Sequence, residues 1–417
     1  MTTATATAEL SIPAATARYR DILTAPYVTR LLTGAVIGHL PVAMAPLAIL
    51  LTVRAGHGSL AQAGTLAAVY GLTTALGQPL LGRLLDRRGH TLTLTLTILL
   101  STTAFTGLAL IHPADQPTTA TLLATLAGLA TPPLEAALRV LWPRLLHADS
   151  ERRAALALDG CAQELVFIVG PLLVLLLDLA AGSTMVLATT ALTGLAGTAL
   201  FLTADPARTW KPTPTATHRR SPLKAPGPRA LAIAFLGTGM ALGSLNVVAL
   251  TAAECHHAPY LSTLIPAALA VGSLTGGLLY GRRQWPGTPP VQLLCASGAL
   301  FLALLPQTAN PDPLWAVAAA AVPGLVLAPS LITAFTLLGD LTPPGTLGEA
   351  SAWLIACLGL GQSAGTAFAG AAGTRGPAAA ALIAMTGAAF ACAVLAATRR
   401  RLNPSAAPTP VPLSPPR

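Results

Sequence analysis

The chain has 417 residues, 53% of them hydrophobic and only 9% charged, against roughly 25% charged residues in soluble domains. So few charges cannot clothe a water-soluble surface of this size, which excludes an ordinary globular enzyme and points to the lipid bilayer as solvent. The formal net charge is +9, yet the basic residues lie in short clusters between apolar runs, a pattern that argues against a nucleic-acid partner and fits orientation signals on one membrane face.

Residues 1–29 are polar and rich in Thr and Ala, and are expected to form an uncleaved cytoplasmic tail. Twelve apolar stretches follow, at 31–53, 59–82, 91–111, 118–140, 155–177, 181–204, 230–252, 259–281, 291–309, 314–338, 350–373 and 377–398. Each has about the 20 residues that a hydrocarbon core of about 30 Å requires. Ten of the twelve contain no Asp, Glu, Lys or Arg. The pattern predicts an all-α integral membrane protein, with six-helix bundles at 30–204 and 230–398. A Pro-, Thr- and Arg-rich cytoplasmic linker at 205–229 joins them, and a basic, then Pro-rich, cytoplasmic tail occupies 399–417. With both termini cytoplasmic, 22 of the 24 basic residues fall on the inner face, Arg18, Arg139, Arg219, Arg220 and Arg417 among them. Only Arg54 and Arg375 fall outside.

Several residues carry more local expectations. Trp142, Trp210, Trp285 and Trp315 sit at span ends and are expected as interfacial anchors. Pro41, Pro46, Pro79, Pro132, Pro133, Pro171, Pro266, Pro323 and Pro329 each predict a kink or a broken turn. The pairs Gly239/Gly243, Gly272/Gly276 and Gly361/Gly365 predict close helix contacts.

Between the second and third spans stands Gly82-Arg83-Leu84-Leu85-Asp86-Arg87-Arg88-Gly89, and a degraded copy, Gly277-Leu278-Leu279-Tyr280-Gly281-Arg282-Arg283-Gln284, follows 195 residues later. The first octet resembles the G-x-L-x-D-R-x-G signature of the major facilitator superfamily. That resemblance implies that fold, with twelve transmembrane helices in two six-helix bundles, and a gating role for Gly82, Asp86, Arg87, Arg88 and Gly89. In the family, the acidic residue meets the start of the eleventh helix and locks the outward-facing state. Thr346-Leu347-Gly348-Glu349 fits a capping box there, with Glu349 competing for the same helix dipole. His90 and Thr91 replace the family's usual basic residues, and the second copy has Gly281 in place of Asp. A tight, positively charged turn without a gating role is the plainer alternative. Gly170-Pro171 in the fifth span resembles a truncated form of the family's exporter motif.

An ionised group at mid-bilayer costs roughly 2.5–3.5 kcal/mol, so each one inside a span matters. Glu135 and Arg139 lie four apart on one helical face and can pair, while Asp159 and Glu164 lie on the next span. These four are candidates for proton coupling, the alternative being a static brace. His39, Asn246, Gln362 and Ser363 are candidates for the substrate cavity, with interhelical hydrogen bonding as the alternative. The five cysteines are scattered, so neither a metal site nor a disulfide framework is expected. No nucleotide-binding loop or hydrolytic triad occurs, so neither a cofactor nor an enzymatic activity is expected. Together these readings predict a secondary active transporter, a proton-coupled exporter of small lipophilic or amphiphilic molecules. The alternatives are an uptake permease for a polar nutrient and a non-transporting membrane sensor. The expected partners are a small-molecule substrate, protons and the lipid bilayer. The resemblance implies a monomer in a bacterial plasma (inner) membrane.

Overall fold

The computed structural model describes residues 19–211, 221–258, 260–283, 285–309 and 312–402. Most of both tails and residues 212–220 of the linker, together with Arg18, Arg219, Arg220, Gln284 and Arg417, lie outside the described residues. The described secondary structure is helical, with no strand. Six long helices form the first half: α1 (Val28–Ala55), α2 (Leu60–Arg88), α3 (His90–Leu110), α4 (Pro117–Leu145), α5 (Asp149–Ala181) and α6 (Ser183–Leu202). Six form the second: α7 (Pro226–Cys255), α8 (Leu261–Arg282), α9 (Pro289–Thr308), α10 (Pro313–Leu341), α11 (Leu347–Gly373) and α12 (Pro377–Thr398). Each coincides with an expected span. Several run a turn or more past it, because their amphipathic ends continue the backbone hydrogen bonding beyond the apolar stretch.

Eleven of these helices are long and apolar enough to cross a membrane. The exception, α2, is 29 residues long but carries Gln62, Thr65, Tyr70, Thr73, Thr74 and Gln78. It packs against α4 and α11, with Tyr70 and Thr74 buried, and surface covered in this way has no need to match lipid.

Helix pairings in the first half recur six helices later. The α1–α6, α2–α4, α3–α6 and α1–α5 contacts have counterparts in α7–α12, α8–α10, α9–α12 and α7–α11. Between the halves, α2 packs on α11 and, in the same relation, α8 packs on α5. Two related six-helix bundles therefore face each other.

Glycine permits the closest approaches. A methyl group added at Gly239 or Gly243 would collide with the carbonyls of Leu358 or Gln362, and one at Gly361 or Gly365 with those of Leu236 or Met240. Each helix of the α7–α11 pair thus lays its glycines on the other's backbone. Gly272 and Gly276 do the same for α8 on α10.

Of the prolines named above, the Pro132-Pro133 pair breaks its helix, leaving α4 as Pro117–Leu129 and Leu134–Leu145. The helices run on through Pro41, Pro46, Pro79, Pro171, Pro266, Pro323 and Pro329. Each proline removes one N–H and disfavours the α region for the residue before it, and two in succession add these effects. Trp142 and Trp210 are not the interfacial anchors expected of them. Both are buried in an apolar cluster with Leu31, Leu85 and Phe201, whereas Trp285 and Trp315 are exposed.

Gly243→Val is expected to lower stability by at least about 1–3 kcal/mol, the usual cost of overpacking. Gly370→Ala, with open space around its Cα, is expected to be neutral. Melting temperatures of the two purified variants check this.

Candidate functional site

Two constellations stand out, one at the end of the bundle that carries the Asp86 octet and one deeper in the first half. At the first, Asp86 lies in the last turn of α2 and is 3% exposed. Its Oδ1 accepts the Gly348 N–H at 3.1 Å and its Oδ2 the Glu349 N–H at 2.7 Å. These are two of the orphan donors in the first turn of α11, so a side chain from the first half caps a helix of the second. The approach requires small residues on both sides. A Cβ at Gly82 would fall 2.7 Å from the Gly348 carbonyl oxygen, and one at Gly348 would fall 2.7 Å from Asp86 Oδ1. Gly89, with φ of 89°, ends α2 and starts α3 in a conformation that favours glycine.

The capping box expected at Thr346 does not form, since the Thr346 hydroxyl turns back to the Pro343 carbonyl at 2.9 Å. Nor does Glu349 compete with Asp86. It gives Asp86 its N–H, while its own carboxylate accepts the Ser221 hydroxyl at 3.0 Å and faces Arg83 Nε at 3.7 Å. Arg87 and Arg88 are exposed. His90 stacks on Trp210 with centroids 4.5 Å apart, and the Thr91 hydroxyl donates to the Arg208 carbonyl at 3.0 Å. The residues that replace the family's basic pair thus hold the start of the linker.

The second constellation follows from the break in α4. Because the helix restarts at Leu134, Glu135 lies in a first turn, where a carboxylate is favoured. Glu135 Oε1 lies 2.9 Å from His39 Nε2, and Oε2 lies 3.1 Å from an Arg139 terminal nitrogen. Arg139 Nε donates to Asp159 Oδ2 at 3.0 Å, and its guanidinium lies 3.8 Å from the Phe335 ring centroid on α10. Arg139, counted above among the inner-face charges, is therefore a buried bundle residue, neutralised by its partners rather than by water. Two carboxylates meet one guanidinium. Charge balance in this cluster is reached only when His39 or one carboxyl also holds a proton.

Glu164 does not join this cluster. Its Oε1 accepts the hydroxyl of Ser273 on α8 at 2.9 Å, a bond that crosses between the halves. His39, placed above with the cavity candidates, is brought to the charged group instead. Asn246, Gln362 and Ser363 remain exposed and apart from it, and the Ser363 hydroxyl donates to its own helix at Gly359. Gly170 lets α5 approach α1, since a Cβ there would fall 2.7 Å from Ala43 Cβ.

Ser221, Ser273, Phe335 and Tyr19 were not singled out in the sequence. The first three are ordinary residue types without a motif, and only the packing of the halves gives them partners. The described bonds between the halves cluster towards the Asp86 end. Farther from it the facing helices lose their cover: Ala154, Ala157 and Asp159 of α5 are buried, while Leu165, Phe167, Leu172 and Leu176 are exposed. On α11, Gly348 to Ala352 are buried, while Leu360, Gln362, Ser363 and Phe368 are exposed.

Comparison with known proteins agrees with this architecture. No curated protein sequence matches the chain. Among solved structures, a bacterial homologue of the iron transporter ferroportin in an outward-facing state is similar, with a TM-score of 0.73 at 13% identity, over 89% of this chain and 99% of that one. The human organic anion transporter MFSD10 (TETRAN) is similar with a TM-score of 0.65 at 15% identity, over 93% of this chain and all of that one. At such identities the likeness concerns the fold. The sequence model of the Major Facilitator Superfamily matches residues 31–322, well over half of the chain. This multi-pass membrane protein therefore belongs to the major facilitator superfamily, whose members are transporters rather than enzymes.

Proposed function

We propose that the protein is a proton-coupled exporter of small lipophilic or amphiphilic molecules, working by alternating access between units 30–204 and 230–398. The observation that carries this reading is the one-sided closure: the halves are bonded around Asp86 and uncovered beyond it. With 21 of the 24 basic residues assigned to the inner face once Arg139 is set aside, the Asp86 end is cytoplasmic and the arrangement is outward-facing. Export is supported by Gly170-Pro171 seated against α1. The similar structures are described as an organic anion transporter and a homologue of an iron transporter, so the shared fold selects no cargo.

Proton coupling rests on two groups with different duties. The His39–Glu135–Arg139–Asp159 cluster has one carboxylate more than its guanidinium balances, which leaves a place for one proton. Glu164 has only the neutral Ser273 hydroxyl as its described partner, and separation of the halves breaks that bond. Release of the carboxylate from Ser273 changes its affinity for a proton, which ties protonation to conformation.

Flux in proteoliposomes with an imposed pH gradient, screened over hydrophobic antibiotics and amphiphiles, tests the proposal. The wild-type flux is expected to follow the gradient, and Glu164→Gln is expected to abolish that dependence while the protein still inserts. Flux indifferent to the gradient removes proton antiport. Arg139→Ala is expected to behave differently. It strands Glu135 and Asp159 without their cation and costs about 3–5 kcal/mol, as when one partner of a buried pair is deleted. The melting temperature and folded yield of the variant check it.

A further inference from the structure

The second octet lacks the acidic residue of the first. With the repeat offset of 195 residues, Asp86 corresponds to Gly281 on α8. Gly281 faces α5 at Ala157, beyond the first turn of that helix, where Asp86 meets the first turn of α11, and it has no side chain with which to cap or pair. The space is filled from elsewhere. The short helix Tyr19–Thr24, which precedes α1, places the Tyr19 ring over this point. A Cβ added at Gly281 would collide with the Tyr19 hydroxyl oxygen and would lie 2.6 Å from Ala157 Cβ on α5.

Three further contacts hold Tyr19 there. Its hydroxyl donates to the Leu278 carbonyl at 2.7 Å. The Arg282 guanidinium carbon lies 5.2 Å from its ring centroid, within range of a cation–π attraction. The ring packs on Ala157 from the first half and on Tyr280 and Ile332 from the second. Three residues on, Ile22 is 2% exposed and embedded with Leu31, Leu85 and Trp142, so the helix is rooted in the first half while its aromatic end grips the second. Burial holds the Tyr19 hydroxyl up at about 12, with Cys161 adding to the rise and Arg282 opposing it. The phenol thus remains a hydrogen-bond donor throughout the physiological range.

We infer that Tyr19 is the second latch of the cytoplasmic gate, an N-terminal strap that performs at Gly281 the closing function that Asp86 performs at Gly348. The inference rests on the alternating-access reading above. The gate is therefore asymmetric: one side closes by a carboxylate on a helix terminus, the other by an aromatic ring clasped between the halves. Opening the cytoplasmic side requires both contacts to break, and the strap makes residues ahead of α1 part of the transport cycle.

The test measures the distance between the halves in the full-length protein in nanodiscs. Spin labels are attached at Ala148→Cys and Arg400→Cys, in a background with the five native cysteines replaced. Tyr19→Phe removes only the hydroxyl and is expected to raise the fraction with separated cytoplasmic ends about fivefold, the effect of one lost hydrogen bond. Tyr19→Ala is expected to raise it further. Gly281→Ala, which displaces the ring without altering it, is expected to act in the same direction. Asp86→Ala serves as the reference for gate opening. If Asp86→Ala opens the gate while Tyr19→Phe, Tyr19→Ala and Gly281→Ala leave the distances unchanged, the strap is overturned and alternating access stands. If no variant, Asp86→Ala included, shifts the distances, the alternating-access reading falls and the strap with it.

Discussion

A carboxylate reaching across from one bundle to the first turn of a helix in the other is the contact on which the closed end depends. Asp86 satisfies the Gly348 and Glu349 N–H groups at once, and both would otherwise be buried donors without partners. A lost helix cap costs about 0.5–2 kcal/mol, a sizeable share of the few kcal/mol that separate the states of a conformational equilibrium. The same contact explains residues that have no chemistry of their own. Gly82 and Gly348 must be small for the helices to meet, and Gly89 must reverse the chain directly after the capping turn.

The intramembrane charges stand in a graded relation to that contact. The cluster of His39, Glu135, Arg139 and Asp159 lies within the first half and touches the second through the Phe335 ring. The Glu164–Ser273 bond crosses between the halves outright. In the proposed cycle, a proton held in the first group alters the charge of a brace, whereas a proton on Glu164 bears on the bond that joins the halves. The broken fourth helix links the two levels. Pro132 and Pro133 end its first piece, and the restart at Leu134 supplies the terminus beside which Glu135 sits.

Much of this was legible in the chain. Twelve spans could be read because hydropathy is a property of local composition, and the glycine pairs because close helix packing leaves a four-residue signature. Asp86 was found through resemblance, since nothing in its own neighbourhood identifies a partner 262 residues away. Errors arose where a residue's role depends on distant packing. Thr346 had the right spacing for a capping box, but a carboxylate from the other half already occupied the site. Trp142 and Trp210 stood at span ends, yet His90 and the apolar cluster beneath them offered a better seat than the lipid interface. Tyr19 lay in a tail with no apolar period, and Ser221 and Ser273 are residue types too common to signal. Their partners exist only once the two bundles are assembled.

Hydrogen–deuterium exchange at the start of the eleventh helix tests the central contact most directly. Peptides covering residues 347–350 are expected to exchange slowly in the wild-type protein and markedly faster in Asp86→Ala, with little change in peptides from the middle of the same helix. Equal exchange in the two proteins would contradict the account, because it would mean that Asp86 does not hold those amides and that the closed end is maintained by something else.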